Sequence, residues 1–260
     1  MKTRAPETQS DRIDPARAEA WFATFGEDRG IDVGVALPPF AHLAYFWRAS
    51  VHDALGADGQ EGSGHTAPMS DLPLRMWAGS RLRWHTPFRA GVAAKKVTRP
   101  IGVTRKSGRS GALDFVTIRH EVFQRGALVL SEDQDLVYRE ADAVTGEGPV
   151  ESGEADERRA LKLDAVTLFR FSALTFNAHR IHYDAEFARG EGYGGIVVHG
   201  SLLAACLAAF ASERIGTLSS FTFRATAPLL LGDVAWMCRA GARYWVEGPR
   251  RRVSMTAEAG

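Results

Sequence analysis

SALTFNAHRIHYD, Ser172 to Asp184, and EGYGGIVVHGSLLAACLAAF, Glu191 to Phe210, form the stretch on which the reading of this chain turns. The first segment gathers Thr175, Asn177, His179, His182 and Asp184, and the second passes from a glycine-rich turn through His199-Gly200 into an apolar helix expected from about Ser201 to Ser212. A helix start presents unpaired N–H groups and roughly half a positive charge. An oxygen that gains charge as a carbonyl becomes an enolate is stabilised at such a place, while a neighbouring imidazole moves protons. Leu202, Leu203, Cys206, Leu207 and Phe210 give the helix a broad apolar face, and the intervening alanines keep it slim enough for a sheet to wrap closely.

Outward from this stretch, composition removes several classes of function. The chain has 260 residues, 45% hydrophobic and 24% charged, with a formal net charge of +1. That is enough chain for one large domain or two fused modules, and it offers no basic surface for nucleic acid. Cys206 and Cys238 lack any CxxC pairing and read as small core residues of a reducing compartment. The polar, acid-containing start MKTRAPETQSDRID does not resemble a signal sequence, and no apolar run reaches the ~18 residues of a membrane span. A cytoplasmic protein with no membrane partner is the expectation.

In chain order, residues 1 to about 15 read as a loose tail and Pro15 to Phe25 as a short helix. Ala41 to Leu55 shows helical spacing of Leu43, Ala44, Phe46, Trp47, Val51, Ala54 and Leu55, with Gly56 as a stop. Residues 56 to 71 are rich in Gly and Ser and read as an exposed insertion. SRLRWHTP, Val92 to Thr104, LDFVTIRHEVFQ and LVLSEDQDLVYRE read as strands, with KSGRSG as a hairpin connection. The aperiodic, acidic residues 141 to 160 read as a linker between an N-terminal half, 1 to 140, and a C-terminal half, 161 to 260. VTLFRFSALT then reads as a strand, and SSFTFRATAP, VAWMCRAGARYWV and RRRVSMTAE supply further strands.

The halves contain a repeat. RLRWHTPFRAG, Arg81 to Gly91, aligns without a gap on TFRATAPLLLG, Thr222 to Gly232, matching Arg83 with Arg224, Pro87 with Pro228 and Gly91 with Gly232. The expected architecture is a duplicated helix-plus-sheet unit, each sheet curled around one long helix and the two sheets joined edge to edge. That is an α+β double hot dog.

The segment FSALTFNAHRIHYDAEFARGEGYGGIVVHG resembles the signature of MaoC-like (R)-specific enoyl-CoA hydratases and hydroxyacyl-thioester dehydratases, Asp-x-Asn-Pro-aliphatic-His-x-Asp followed by a glycine-rich turn and His-Gly. LPLRMWAGSRLRWHTPFRAG, KSGRSGALDFVTIRHEV and EDQDLVYRE resemble the N-terminal hot-dog half of the mesaconyl-C4-CoA and itaconyl-CoA hydratase branch. The resemblance implies a hydro-lyase whose partner is an acyl-CoA thioester, with a degenerate N-terminal half on the substrate side and the catalytic half at the C-terminus. It implies no cofactor beyond the CoA of the substrate, and no metal. Carried over by position, Asn177 is the motif Asn, His182 the catalytic His, Asp184 the following Asp, and Gly200 the glycine whose N–H holds the thioester oxygen. Two departures stand out. Ala178 replaces the motif proline, with His179-Arg180 inserted before His182, and Thr175 stands where the family has its catalytic Asp.

A hydroxyl is no carboxylate base at neutral pH, so His182, whose imidazole ordinarily titrates near 6.5, is left as the proton carrier, with Thr175 and Asn177 expected to hold the water. Asp184 either orients His182 or caps the helix that begins DAEFA, and His199 either touches substrate or pins the turn. Arg180 is a candidate clamp for the free carboxylate of a dicarboxyl substrate; Arg83, Arg224 and the Lys106–Arg109 turn are either surface charge or contacts for CoA phosphates. A thioesterase, a non-catalytic acyl-CoA-binding module and a metal site built on His179, His182 and His199 remain as alternatives. Two hot dogs in one chain already make the pair that a single module obtains by dimerising, and further homodimerisation stays open.

Overall fold

Asp14 and Asp164 each stop a short edge strand and start a helix, and the same interval separates Glu7 from Glu157 as Asp14 from Asp164. In the computed structural model, which describes residues 5–60, 70–72, 74–108, 111–139 and 147–260, β1 (Glu7–Asp11) leads into α1 (Pro15–Thr24), and β6 (Glu157–Leu161) leads into α2 (Ala165–Thr175). Asp14 accepts from Ala16 N–H and Asp164 from Thr167 N–H, satisfying donors that a helix start leaves open, each cap contributing about 1 kcal/mol.

Four longer strands complete the first unit: β2 (Leu74–Trp84), β3 (Ala94–Gly108), β4 (Gly111–Gln124) and β5 (Ala127–Arg139). The second unit is completed by β7 (Ser220–Ala225), β8 (Ala235–Ala240), β9 (Arg243–Glu247) and β10 (Val253–Ala259). All ten strands join one antiparallel sheet in the order β1-β3-β4-β5-β2-β7-β10-β9-β8-β6. Read inward from either edge, the order within each unit is the same. The units meet where β2 pairs with β7, in the register Gly79↔Arg224 to Arg83↔Ser220. A Cβ on Gly79 would lie 2.3 Å from the Phe223 carbonyl oxygen, so this seam closes only over a glycine.

The repeat of 81–91 and 222–232 is structural. Arg89 bridges Ala36 and, at the matching position, Leu230 bridges Val197; Gly91 and Gly232 both turn the chain at positive φ, +69° and +97°. The double hot dog is therefore present, but its two units differ in helices. The second inserts α3 (Ala185–Gly190) and α4 (Gly200–Ile215) between α2 and its long strands. Leu202, Leu207, Ala204, Ala208 and Ala211 of α4 have no exposed surface, and the sheet closes directly on them. Both cysteines are free and buried.

Several expectations are overturned. The helix expected over Ala41–Leu55 does not form: 3-10 turns at Ala41–Ala44 and His52–Ala54 replace it. Phe40 and Phe46 sit at positive φ, Asp11 accepts the Phe46 N–H and the Tyr45 hydroxyl donates to the Asp14 carbonyl. These tertiary bonds outweigh a helical periodicity worth only tenths of a kcal/mol per residue, ~0.5. VTLFRFSALT is the helix α2, not a strand: its apparent alternation hides a buried face of Leu168, Phe171 and Leu174 behind the Asp164 cap. The tail contains β1, and β6 occupies the end of the linker expected over 141–160, so the second unit begins at Glu157. Most of the expected insertion (61–69), the hairpin tip (109–110) and residues 141–146 of the linker lie outside the described residues.

Candidate active site

α2 ends at Thr175 because Phe176 takes a left-handed conformation. Phe176 stacks on Trp47 of the first unit, ring centroids 5.3 Å apart, and Trp47 Nε1 donates to the Leu174 carbonyl. The chain is thereby turned into the segment 177–184 at a fixed angle. There the Asn177 side-chain oxygen accepts the His179 N–H, and a 3-10 turn over Arg180–His182 brings His182 inward. Asp184 caps α3 by accepting the Phe187 N–H, so of its two expected roles the cap is the one realised. The glycine-rich turn then returns as Val197-Val198-His199 to the start of α4.

His182 and His199 stack face to face, centroids 3.7 Å apart and planes 24° from parallel. The Val197 carbonyl accepts from His182 Nδ1 at 2.7 Å, which puts the proton of the neutral ring on Nδ1 and leaves Nε2 with a lone pair. Burial pushes the His182 pKa down to about 4, opposed by the Val197 bond. His199, 1% exposed, shares a 2.8 Å hydrogen bond between its Nε2 and Ser172 Oγ, and burial holds it well below the ordinary histidine value. His179 packs edge-on to His182 and is pushed down to about 4, again chiefly by burial. The triad is thus neutral at pH 7, with His182 Nε2 as its basic atom. Among the described residues no group of three acidic, histidine or cysteine side chains is arranged to hold a metal ion.

Two chambers open here. One of about 1130 Å³ is lined by His179, His182, His199 and Gly200 together with residues of β2, β4, β5 and β7. Gly200 is the first residue of α4, and His199 makes no side-chain cap, so the first N–H groups of the helix remain available to a ligand. The second, about 840 Å³, lies under the first unit, against Trp47, Lys96, Glu132 and Thr175, and shares Asn177 and Ser201 with the first. It occupies the side of the molecule where the first unit has no counterpart of α4.

The expected site residues divide accordingly. His182, Asn177, His199 and Gly200 come together. Thr175 does not join them as a water ligand: its hydroxyl donates to the Phe171 carbonyl at 2.8 Å and it lines the second chamber only. Asp135 is the sole carboxylate among the described residues lining the first chamber, and it is held by Arg81 and Thr117. Arg180 is occupied by Asp184 at 2.6 Å and by the Ala57 carbonyl, lies over the Phe187 ring and lines neither chamber. Arg83 lines neither chamber, whereas Arg224 and Lys106 line the first; Arg109 lies outside the described residues. Ser172 was missed because its segment read as a strand; on a helix ending at Thr175 it faces the same side, one turn earlier.

Residues 40–231 match the family model of hydroxyacyl-thioester dehydratase type 2. The chain belongs to that family. Over 229 residues, covering 86% of this chain and 82% of the relative, it is 42% identical to the mesaconyl-C(4)-CoA hydratase of Chloroflexus aurantiacus. Its fold is shared by HtdX of Mycobacterium tuberculosis, with a TM-score of 0.68 over 98% of this chain and 99% of the other at 14% identity. A second M. tuberculosis protein, described as having a double hotdog fold, superposes with a TM-score of 0.65 over 100% and 96% of the two chains at 14% identity. The dehydratase family places the histidine stack and the α4 N-terminus in an enzyme of the hydro-lyase type.

Proposed function

We propose that the protein adds water reversibly across the α,β double bond of a short dicarboxyl enoyl-CoA, mesaconyl-C4-CoA being the first candidate. The observation that carries the reading is His182, neutral, bonded through Nδ1 to Val197 and sharing one chamber with the uncapped start of α4. The thioester oxygen is placed at the Gly200 N–H. As the oxygen of water bonds to the β-carbon, its proton passes to His182 Nε2 and the double-bond electrons move onto the thioester oxygen, giving an enolate stabilised by the N–H groups of the first turn. The imidazolium then returns a proton to the α-carbon, and the carbonyl re-forms. Proton removed and proton delivered balance, so one imidazole serves both steps and no cofactor beyond the CoA of the substrate is required. Asn177, at the junction of the chambers, keeps its amide N–H groups for the water while its oxygen holds the His179 backbone.

The 42% identity to a mesaconyl-C(4)-CoA hydratase over most of both chains supports the choice of thioester. The buried free thiols accord with a cytoplasmic setting. A panel of crotonyl-, mesaconyl-C4-, itaconyl- and longer enoyl-CoA thioesters tests the assignment. The highest kcat/KM is expected on mesaconyl-C4-CoA; a preference for the longer, uncharged thioesters would overturn the dicarboxyl assignment.

A further inference from the structure

The basic residues around the first chamber differ in what they hold. Arg81 is paired with Asp135, and Arg105, next to the chamber's Thr104 and Lys106, is paired with Asp114 and Asp71. Arg75 is different. It lines both chambers, is half-buried, and makes no ion pair among the described residues; its guanidinium bonds the neutral side-chain oxygen of Gln60 and lies beside the Tyr138 hydroxyl. A guanidinium has five donors in a planar fork that fits a carboxylate, and Arg75 leaves most of them uncommitted.

Gln60 is itself fixed. Its N–H and side-chain amide both donate to Asp58, whose backbone carbonyl accepts the Arg180 N–H at 2.8 Å. Arg180 donates to the Ala57 carbonyl, and a Cβ on Gly59 would lie only 2.1 Å from the Ala178 oxygen, so the two segments are pressed together. A continuous chain of bonds therefore runs from Asp184 through Arg180 and residues 57–60 to Arg75. Arg180 anchors the segment that presents Arg75.

The substrate geometry meets this arrangement. In mesaconyl-C4-CoA the free carboxylate is attached to the β-carbon. A thioester oxygen placed at Gly200 and a β-carbon at His182 put that carboxylate in a chamber that Asn177 and Arg75 also line, and the Arg75 charge reaches the neighbouring His179. We infer that Arg75, held by Gln60, binds the free carboxylate of a dicarboxyl enoyl thioester and is the specificity-determining residue of the site. The inference rests on the proposed hydratase reading and names a different residue from the Arg180 clamp. Of the other basic groups of the second chamber, Arg48 is paired with Glu7, and Lys96 faces the buried Glu132 and the Phe46 ring.

The test compares kcat/KM on mesaconyl-C4-CoA with that on crotonyl-CoA, which lacks the second carboxylate, for wild type, Arg75→Met, Arg75→Lys, Gln60→Ala and Lys96→Met. Arg75→Met is expected to lower the mesaconyl-to-crotonyl ratio on the order of 100-fold, as loss of one partner of a buried charge pair does. Arg75→Lys restores part of it, and Gln60→Ala gives a smaller fall with Arg75 still present. An unchanged ratio in Arg75→Met, equal losses on both thioesters, or a shift of the ratio in Lys96→Met alone would overturn the inference. Wild type that hydrates crotonyl-CoA and not mesaconyl-C4-CoA overturns the dicarboxyl reading and this inference together. Wild type that hydrates mesaconyl-C4-CoA with an indifferent Arg75 overturns this inference only.

Discussion

After α2 the chain passes through His182 and His199 into a helix buried over Leu202–Ala208, whereas after α1 it reaches Phe40, takes one 3-10 turn and folds Tyr45, Phe46 and Trp47 back against the helices of both units. The strand order on the two sides is the same. The difference lies in what fills the curl of the sheet, and it separates two tasks. The second unit keeps an uncapped helix start, which in the proposed reaction polarises a carbonyl. The first gives up its helix and leaves a chamber of about 840 Å³ beside the reacting groups. In the proposed reaction one duplicated scaffold supplies both the proton-transferring groups and the room for the acyl substituent, joined across the Gly79–Phe223 seam.

The largest effect is expected where the second unit has no counterpart in the first. His182→Ala should lower kcat roughly 10²- to 10⁴-fold, the usual contribution of a positioned acid–base, while Arg83→Ala in the first unit should leave kcat within about twofold. Turnover assays with circular dichroism of each variant check this. The helix start comes next. Gly200 has open space around it and is preceded by His199 at φ −59°, ψ 127°, a conformation proline accepts in its neighbour. Gly200→Pro therefore keeps the helix but deletes one N–H, and a loss of kcat of about 10²- to 10³-fold is expected, against a small loss for Gly200→Ala. Similar losses for both would show that space at Gly200, and not its N–H, matters.

Acid should act on the histidine stack. His182 works as a base only when neutral, so kcat/KM of the free enzyme should be level near neutrality and fall about tenfold per unit once the pH drops below its value of about 4. Stability follows the same sign. Buried histidines with lowered pKa bind protons more readily when unfolded, so the melting temperature should decline as pH falls from about 6.5 towards 4. Rate and melting curves across this range check both statements. Smallest of all is Thr175→Val: its hydroxyl bonds its own helix, so kcat should change by no more than about threefold.

The parts legible in the sequence were those carried by local chemistry. The repeat of Arg81–Gly91 and Thr222–Gly232 announced the duplication because matched glycines at positive φ and matched bridges recur there. The α4 helix was legible from its unbroken apolar and alanine face. What stayed hidden depends on contacts distant in sequence. Ala41–Leu55 has helical spacing, yet Asp11 and Asp14 capture its backbone and its tyrosine. Arg180 looked like a ligand clamp because the sequence shows neither its pairing with Asp184 nor its hold on residues 57–58. Ser172 and Arg75 reach the site from a misread helix and from a strand in the other half.

In the proposed reaction the histidine stack and the start of α4 direct water to the β-carbon and not to the thioester carbonyl. The most direct test follows mesaconyl-C4-CoA with the wild-type protein, recording the conjugated-thioester absorbance and free thiol in the same reaction. Loss of the absorbance with no thiol released is expected. Thiol released in step with the absorbance change would contradict it and make the protein a thioesterase.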